Sequence, residues 1–416
     1  MKSALAMTAM LASAVAIGSP ARAGQPQATA TPGANLSSGV NDFGFRLLRT
    51  LAGGTGENVI VSPLSVWLAL AMTANGAAGD TRTAIAKTIG VESASLDEPA
   101  FNRAGHELLA ALRKTDPAVT MEIANALWTQ SGFPINPDFL NTSRQFYDAA
   151  SEGLDFEGKP DQAVAAVNAW VNKNTHGRIP TIISRVDRKT RLILTDAVYF
   201  KGIWSSPFNP KATKPRTFHI GADSSGQAPA VQAQMMSKTG EFPYSENQSF
   251  QAIRMAYGNG RFAMYVFLPR EMTGLPDFVG MLDPQHWREW TGALVSRKGT
   301  IVMPKFESSY GKRLNDALEA MGMAIAFNPA EADFSRIHQP PPRLSINDVE
   351  HKTWVKVDEQ GTEAAAATSV GMAMAMIATN RPRPFEMVVD HPFFFAIKQE
   401  SGALLFAGIV TDPTRH

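Results

Sequence analysis

The sequence predicts an α+β fold, and three observations carry that prediction. Helical periodicity gathers in the first half of the chain. Long apolar runs gather in the second half, and the two never alternate as regular βαβ units. With 416 residues and 44% hydrophobic content, the chain can bury a sizeable core.

The elements follow in order. Lys2 precedes an apolar run from Ala4 to Ile17, and Ala21-Arg22-Ala23 supplies a small-x-small pattern. Residues 1–23 therefore read as a signal peptide, and export to the periplasm or the outside medium is expected. The run is too short for a membrane anchor and no later segment could span, so no membrane partner is expected. Residues 24–38, rich in Gln, Ala, Thr, Pro and Ser, read as a flexible leader. Residues 39–416 read as one domain, without a dividing linker or an internal repeat. Val40, Phe43, Leu47 and Leu51 share a helical face. Ser62-Pro63 is an N-cap with proline at the first helical position, and the apolar stretch after it predicts a buried central helix. A further helix is expected over residues 161–176, with Val164, Val167, Trp170 and Val171 on one side and Gly177 as its cap. Residues 192–200 are almost unbroken in their apolar character, as in a strand covered on both faces. Residues 262–268, 300–306, 392–397 and 404–410 are further strands.

Composition and motifs exclude several function classes. Removal of Lys2 and Arg22 takes the formal net charge from +1 to −1, which offers nucleic acid no electrostatic footing. Cysteine is absent, so an exported chain must rely on its packed core. The eight histidines are scattered, with no zinc-binding spacing. No Gly-x-Ser-x-Gly elbow or Walker loop is present, and no cofactor, metal or catalytic residue is assigned. Residues 258–263 formally match a dinucleotide fingerprint. Asn259-Gly260 between apolar runs is better read as a type I′ hairpin turn.

Glu359-Gln360-Gly361-Thr362-Glu363-Ala364-Ala365-Ala366-Ala367-Thr368 stands apart from all of this. At period two, Thr362, Ala364, Ala366, Thr368 and Val370 fall on one face, and Glu363, Ala365, Ala367 and Ser369 on the other. One face could thus be buried without burying a charge. Gly361 and four alanines suit a free strand poorly. The segment fits a strand that joins an existing sheet, and the alternatives are an alanine-rich solvent loop or a short helix.

That segment resembles the reactive-loop hinge of the serpins, and the resemblance extends along the chain in the family's order. Asn58-Val59-Ile60-Val61-Ser62-Pro63-Leu64-Ser65 is similar to the family's N-terminal signature. Asn168-Ala169-Trp170-Val171, Asp196-Ala197-Val198-Tyr199-Phe200-Lys201-Gly202-Ile203-Trp204, His391-Pro392-Phe393 and Leu405-Phe406-Ala407-Gly408 continue the likeness. The resemblance implies three β-sheets, eight to nine helices and an exposed reactive loop over about residues 359–388. It implies a suicide inhibitor of serine proteases rather than an enzyme, monomeric with a tendency to polymerise, whose partner is a protease held in a covalent complex. Ser62, Ser65, Asp196, His351 and Trp204 would form the cluster that controls sheet opening. Asp196 stands where the family commonly has asparagine, and a carboxylate can only accept, which puts the usual network in question. The family's usual spacing, counted from Gly361, implies a reactive bond at Ala375-Met376, with Met374 as a neighbour and elastase-, subtilisin- or chymotrypsin-like targets. Counting back from His391 points instead to Arg381 and trypsin-like targets. The alternative function is a non-inhibitory serpin used for binding, chaperoning or storage. A secreted hydrolase would need a nucleophile and base that the sequence does not offer.

Overall fold

A computed structural model of the chain describes residues 32–53, 56–97, 99–113, 116–220, 229–362 and 383–415. Residues 1–23 and most of the expected leader lie outside these, as do Glu363 to Thr368, Met374, Ala375, Met376 and Arg381. Among the described residues no helix is long and apolar enough to cross a membrane.

Helix α1 (Pro32–Ala52) begins inside the segment expected to be leader. Ser37 is buried there, and its hydroxyl donates to the Ser401 carbonyl at 3.1 Å, so residues 32–38 are helical where their composition suggests a leader. Val40, Phe43 and Leu47 are buried as their spacing requires. Helix α2 (Pro63–Gly76) is buried along its length except at Asn75. Ser62 precedes it with extended backbone, but its side chain makes no capping hydrogen bond, contrary to expectation. Helices α3 (Gly79–Thr88), α4 (Pro99–Arg113) and α5 (Pro137–Tyr147) follow. Helix α6 (Pro160–Asn174) lays Ala163, Val167 and Val171 on the central sheet.

The strands, in chain order, are β1 (Val59–Val61), β2 (Val119–Gln130), β3 (Ala150–Leu154), β4 (Leu192–Ile203), β5 (Lys214–His219), β6 (Ala230–Glu246), β7 (Phe250–Tyr257) and β8 (Phe262–Pro269). They continue as β9 (Val295–Pro304), β10 (Phe306–Arg313), β11 (Asp348–Val357), β12 (Gly361–Thr362), β13 (Phe385–Val388), β14 (Phe393–Gln399) and β15 (Leu404–Val410). One sheet has the order β10-β11-β12-β4-β2-β3, and the remaining nine strands form a second hydrogen-bonded set. That second set is two sheets fused through the long strand β6. Most of β6 pairs with β5 and β9, and only Tyr244, Ser245 and Glu246 pair with β7. The main core lies between the two sets, with α1 and α2 packed into it.

The structure corrects three expectations. The strand expected over residues 300–306 is the end of β9 and the start of β10, because the chain changes sheets around Pro304, which has no N–H for a ladder. Residues 385–388 of the expected loop are strand β13, with Phe385 stacked on Tyr244 at 3.9 Å. The β7–β8 hairpin has a four-residue loop with positive φ at Gly258 and Gly260 (49° and 95°), not at Asn259. It wraps the Asp116 carboxylate, which accepts the Asn259 N–H at 2.7 Å. A side chain at Gly258 would begin 2.0 Å from Asp116 Oδ2.

Candidate functional site

Strand β4 is covered on both faces. Leu194, Val198 and Phe200 enter the main core, while Ile193, Ala197 and Tyr199 face the α6 side. Its neighbour β11 runs parallel to it over Asp348–Trp354, whereas β4 and β2 are antiparallel. At the Ile203 end, β12 is wedged between them. Thr362 lies opposite Gly202 on one side and Val357 on the other. The seam is therefore open by two residues at one end and closed below.

The open end is held by a clamp. The backbone N–H groups of Trp204 and Phe208 donate to the carbonyls of Gln360 and Glu359 at 2.8 and 2.7 Å. The Trp204 indole N–H donates to the Asp358 carbonyl at 2.9 Å. The Trp204 ring also stacks on Tyr257 at 4.3 Å. The Glu359 carboxylate takes an ion pair from Lys305 at 2.9 Å and a hydrogen bond from Thr213 at 2.7 Å. Burial raises the Glu359 pKa, but Lys305 and Thr213 outweigh it and hold the group below the usual carboxylate range. Thr362 is fully buried, its hydroxyl 2.8 Å from the Tyr257 hydroxyl. Burial pushes the Tyr257 phenol up, so it stays neutral and can share that bond. Gly361 has φ 149°, and a Cβ there would lie 1.9 Å from the Gly202 carbonyl oxygen. Only glycine fits this approach.

A second constellation closes the middle of the seam. Asn125, Asp196 and His351 lie side by side on β2, β4 and β11. The Asp196 carboxylate accepts from the Ser65 hydroxyl, and Asn125 Oδ1 lies 3.5 Å from that same hydroxyl. His351 Nδ1 stands 2.5 Å from Asp196 Oδ1, while His351 Nε2 accepts the Ser62 N–H at 3.2 Å. That acceptance fixes the tautomer: the ring is neutral and its proton sits on Nδ1. A carboxylate facing two donors needs no donor of its own, so aspartate suits the position. The Ser62 hydroxyl is buried with no hydrogen-bond partner among the described residues.

Of the five residues expected in one cluster, Ser62, Ser65, Asp196 and His351 meet. Trp204 belongs to the clamp, about 26 Å further along the strand at ~3.3 Å per residue. Sequence reasoning missed Asn125, Thr213, Tyr257 and Lys305. Tyr257, which ends an apolar run, carried a weak signal; the others gained meaning only through strand register. Among the described residues, no group of His, Cys, Asp or Glu could hold a metal.

Comparisons with known proteins agree with this architecture. A family model described as Serpin (serine protease inhibitor) matches residues 38–413. An uncharacterized serpin-like protein of Thermococcus kodakarensis is 36% identical over 377 residues, covering 90% of this chain and 85% of its own. Serpin-Z2A of Triticum aestivum is 33% identical over 390 residues, covering 90% and 95%. The crystal structure of Serpin48 from the insect Tenebrio molitor superposes with a TM-score of 0.79 at 27% identity, covering 91% and 98%. The chain belongs to the serpin family, whose activity is broadly that of protease inhibition.

Proposed function

We propose that this protein is a suicide-substrate inhibitor of serine proteases that acts, after export, by drawing its cleaved loop into the β4–β11 seam. The observation that carries the reading is β12, a hinge already seated antiparallel between two strands that pair directly below it. A protease attacks the loop and forms an acyl-enzyme. Cleavage frees the hinge, which extends β12 downward and carries the bound protease with it. Distortion of the protease oxyanion site then stalls deacylation.

Register makes the proposal specific. Continued from Thr362, both pairings bring Thr368 opposite Asp196 on β4 and His351 on β11. Insertion must therefore part the Asp196–His351 hydrogen bond, and the Thr368 hydroxyl arrives with one donor and lone pairs to replace it. The unpartnered Ser62 hydroxyl beneath is a further partner. Val370, Thr368, Ala366 and Ala364 share the inward face with Thr362, and none carries a charge. At the same register β4 runs out opposite Met372, three residues short of Ala375. A bond at Ala375-Met376 lets the strand be filled with three residues to spare, whereas one at Arg381 would leave nine beyond the end of β4, so the length of the sheet favours Ala375-Met376.

Each inserted residue nets about 0.5–1.5 kcal/mol of hydrogen bonding, so a dozen contribute on the order of 10 kcal/mol. That exceeds the several kcal/mol needed to distort a protease. Incubation with pancreatic elastase, chymotrypsin and subtilisin, followed by denaturing electrophoresis, tests the reading. A complex that survives denaturant, with release of a peptide beginning at Met376, is expected. Cleavage without a complex and without a rise in melting temperature would leave a non-inhibitory serpin.

A further inference from the structure

Beside the clamp, a cavity of about 290 Å³ opens between the end of β4, the segment after it, and strands β6 and β7. Trp204, Phe208 and Phe242 supply aromatic walls. The Lys238 ammonium lies among them, 5.8 Å from the Phe208 ring and 5.9 Å from the Phe242 ring. It donates to the Ser206 carbonyl, but no carboxylate of a described residue is paired with it. Arg254 also lines the cavity, with Nη2 donating to the Gly260 carbonyl at 2.8 Å. Glu241 is exposed at the rim.

A half-buried ammonium with no counter-charge carries a desolvation cost that the Ser206 carbonyl and the two rings offset in part, and that an incoming anion would lower further. Burial alone pushes the Lys238 pKa down to about 8, the response expected of a cation without a partner. Trp204, Phe208 and Phe242 are 3, 4 and 8% exposed, so each shows the cavity a small apolar part of its ring, contact that inorganic phosphate would leave unused. Glu241 disfavours a dianion.

We propose that this cavity binds a small aromatic carboxylate, its ring against Trp204, Phe208 and Phe242 and its carboxylate on Lys238, with Arg254 as a second cation. The size sits at the lower end for small-molecule sites and suits one or two fused rings. The assignment is independent of the inhibitory reading, because it is tested by binding alone.

The probe is 2-naphthoate, titrated into the full chain and followed by tryptophan fluorescence and calorimetry. Saturable one-to-one binding is expected. Lys238→Met should weaken it about tenfold or more, since a charge-assisted hydrogen bond is removed. Lys238→Arg, which keeps the charge, should retain it. On the unmodified protein, raising the pH from about 7 to about 9 should weaken binding about tenfold, because the protonated lysine is the binding form. Lys238→Arg should be flat over the same range. The pH series keeps the proposal testable even if Lys238→Met does not fold. Absence of saturable binding, equal affinity in Lys238→Met, or a flat profile in the unmodified protein would overturn the site.

Discussion

The open end and the middle of the β4–β11 seam are built from different materials. At the clamp, Trp204 and Phe208 hold the hinge through backbone and indole donors, and Lys305, Thr213 and Tyr257 hold its side chains. In the middle, the strands already pair, and what must be exchanged is one buried network around Asp196. The clamp holds the two residues of β12 in place. Under the proposed mechanism the network would resist the strand that follows, and inhibition would need both, since a hinge without resistance would insert unbidden and resistance without a hinge would never yield.

The largest expected effect comes from breaking the clamp side. Thr362→Arg places a charge where the native side chain is fully buried against Tyr257. Burying an unpaired charge costs several kcal/mol, enough to keep the hinge out of the seam. The variant should fold, because β12 is only two residues and can withdraw to solvent. It should be cleaved by elastase, yet yield at least about tenfold less denaturant-stable complex than the native chain. Undiminished trapping would show that insertion does not start at β12.

Breaking the middle should instead lower native stability. Asp196→Ala leaves the His351 Nδ1–H without its acceptor and the Ser65 hydroxyl with only Asn125 Oδ1 at 3.5 Å, and both residues are almost wholly buried. Each orphaned group costs about 1–3 kcal/mol. A melting temperature lower by several degrees and more polymer on size-exclusion chromatography after mild heating are expected, through strand addition at the loosened seam. Asp196→Asn should be milder, since its amide still offers one acceptor. Equal melting in both variants would separate the carboxylate from seam closure.

The same contrast explains what could be read from the chain alone. The buried helix α2 and the doubly covered strand β4 announce themselves through mostly apolar runs, because burial on every side leaves few polar positions, among them Ser65 and Thr73 in α2 and Thr195 and Asp196 in β4. Strand β11 hid behind Asp348, Glu350, His351 and Lys352. Its inward set of Val349, His351, Thr353, Val355 and Val357 follows period two, but polar members mask the alternation. Without β11 and β2 in register, His351 and Asn125 could not be placed beside Asp196 by spacing. The family likeness linked Ser62, Ser65, Asp196 and His351 without saying how. Lys305 and Thr213 touch Glu359 from distant parts of the chain, a relation that local pattern cannot express.

A smaller effect is expected where the two regions would meet. Thr368→Val keeps the shape of the residue that register brings to Asp196 and His351, but removes its hydroxyl. The uncleaved protein should melt as before. The cleaved form should gain less, by about 1–3 kcal/mol for the polar groups left unanswered. Comparison of melting before and after cleavage, in the native chain and the variant, measures this. An unchanged gain would mean that the inserted strand takes another register.

The smallest effect lies at the clamp's ion pair. Glu359 is nearly buried, but Lys305 is well exposed, so their attraction is screened and worth no more than about 1 kcal/mol. Because Lys305 and Thr213 hold the folded carboxyl below its ordinary value, its contribution is complete above the unfolded value near ~4.3 and is lost as pH falls through the folded one. Glu359→Gln lacks that contribution at every pH while keeping an acceptor for Thr213. The melting temperature of the native chain should therefore exceed that of Glu359→Gln at neutral pH, and the gap should close on acidification below the usual carboxylate range. A gap that stays constant would mean that Glu359 acts through packing and the Thr213 hydrogen bond, leaving the clamp to its backbone donors.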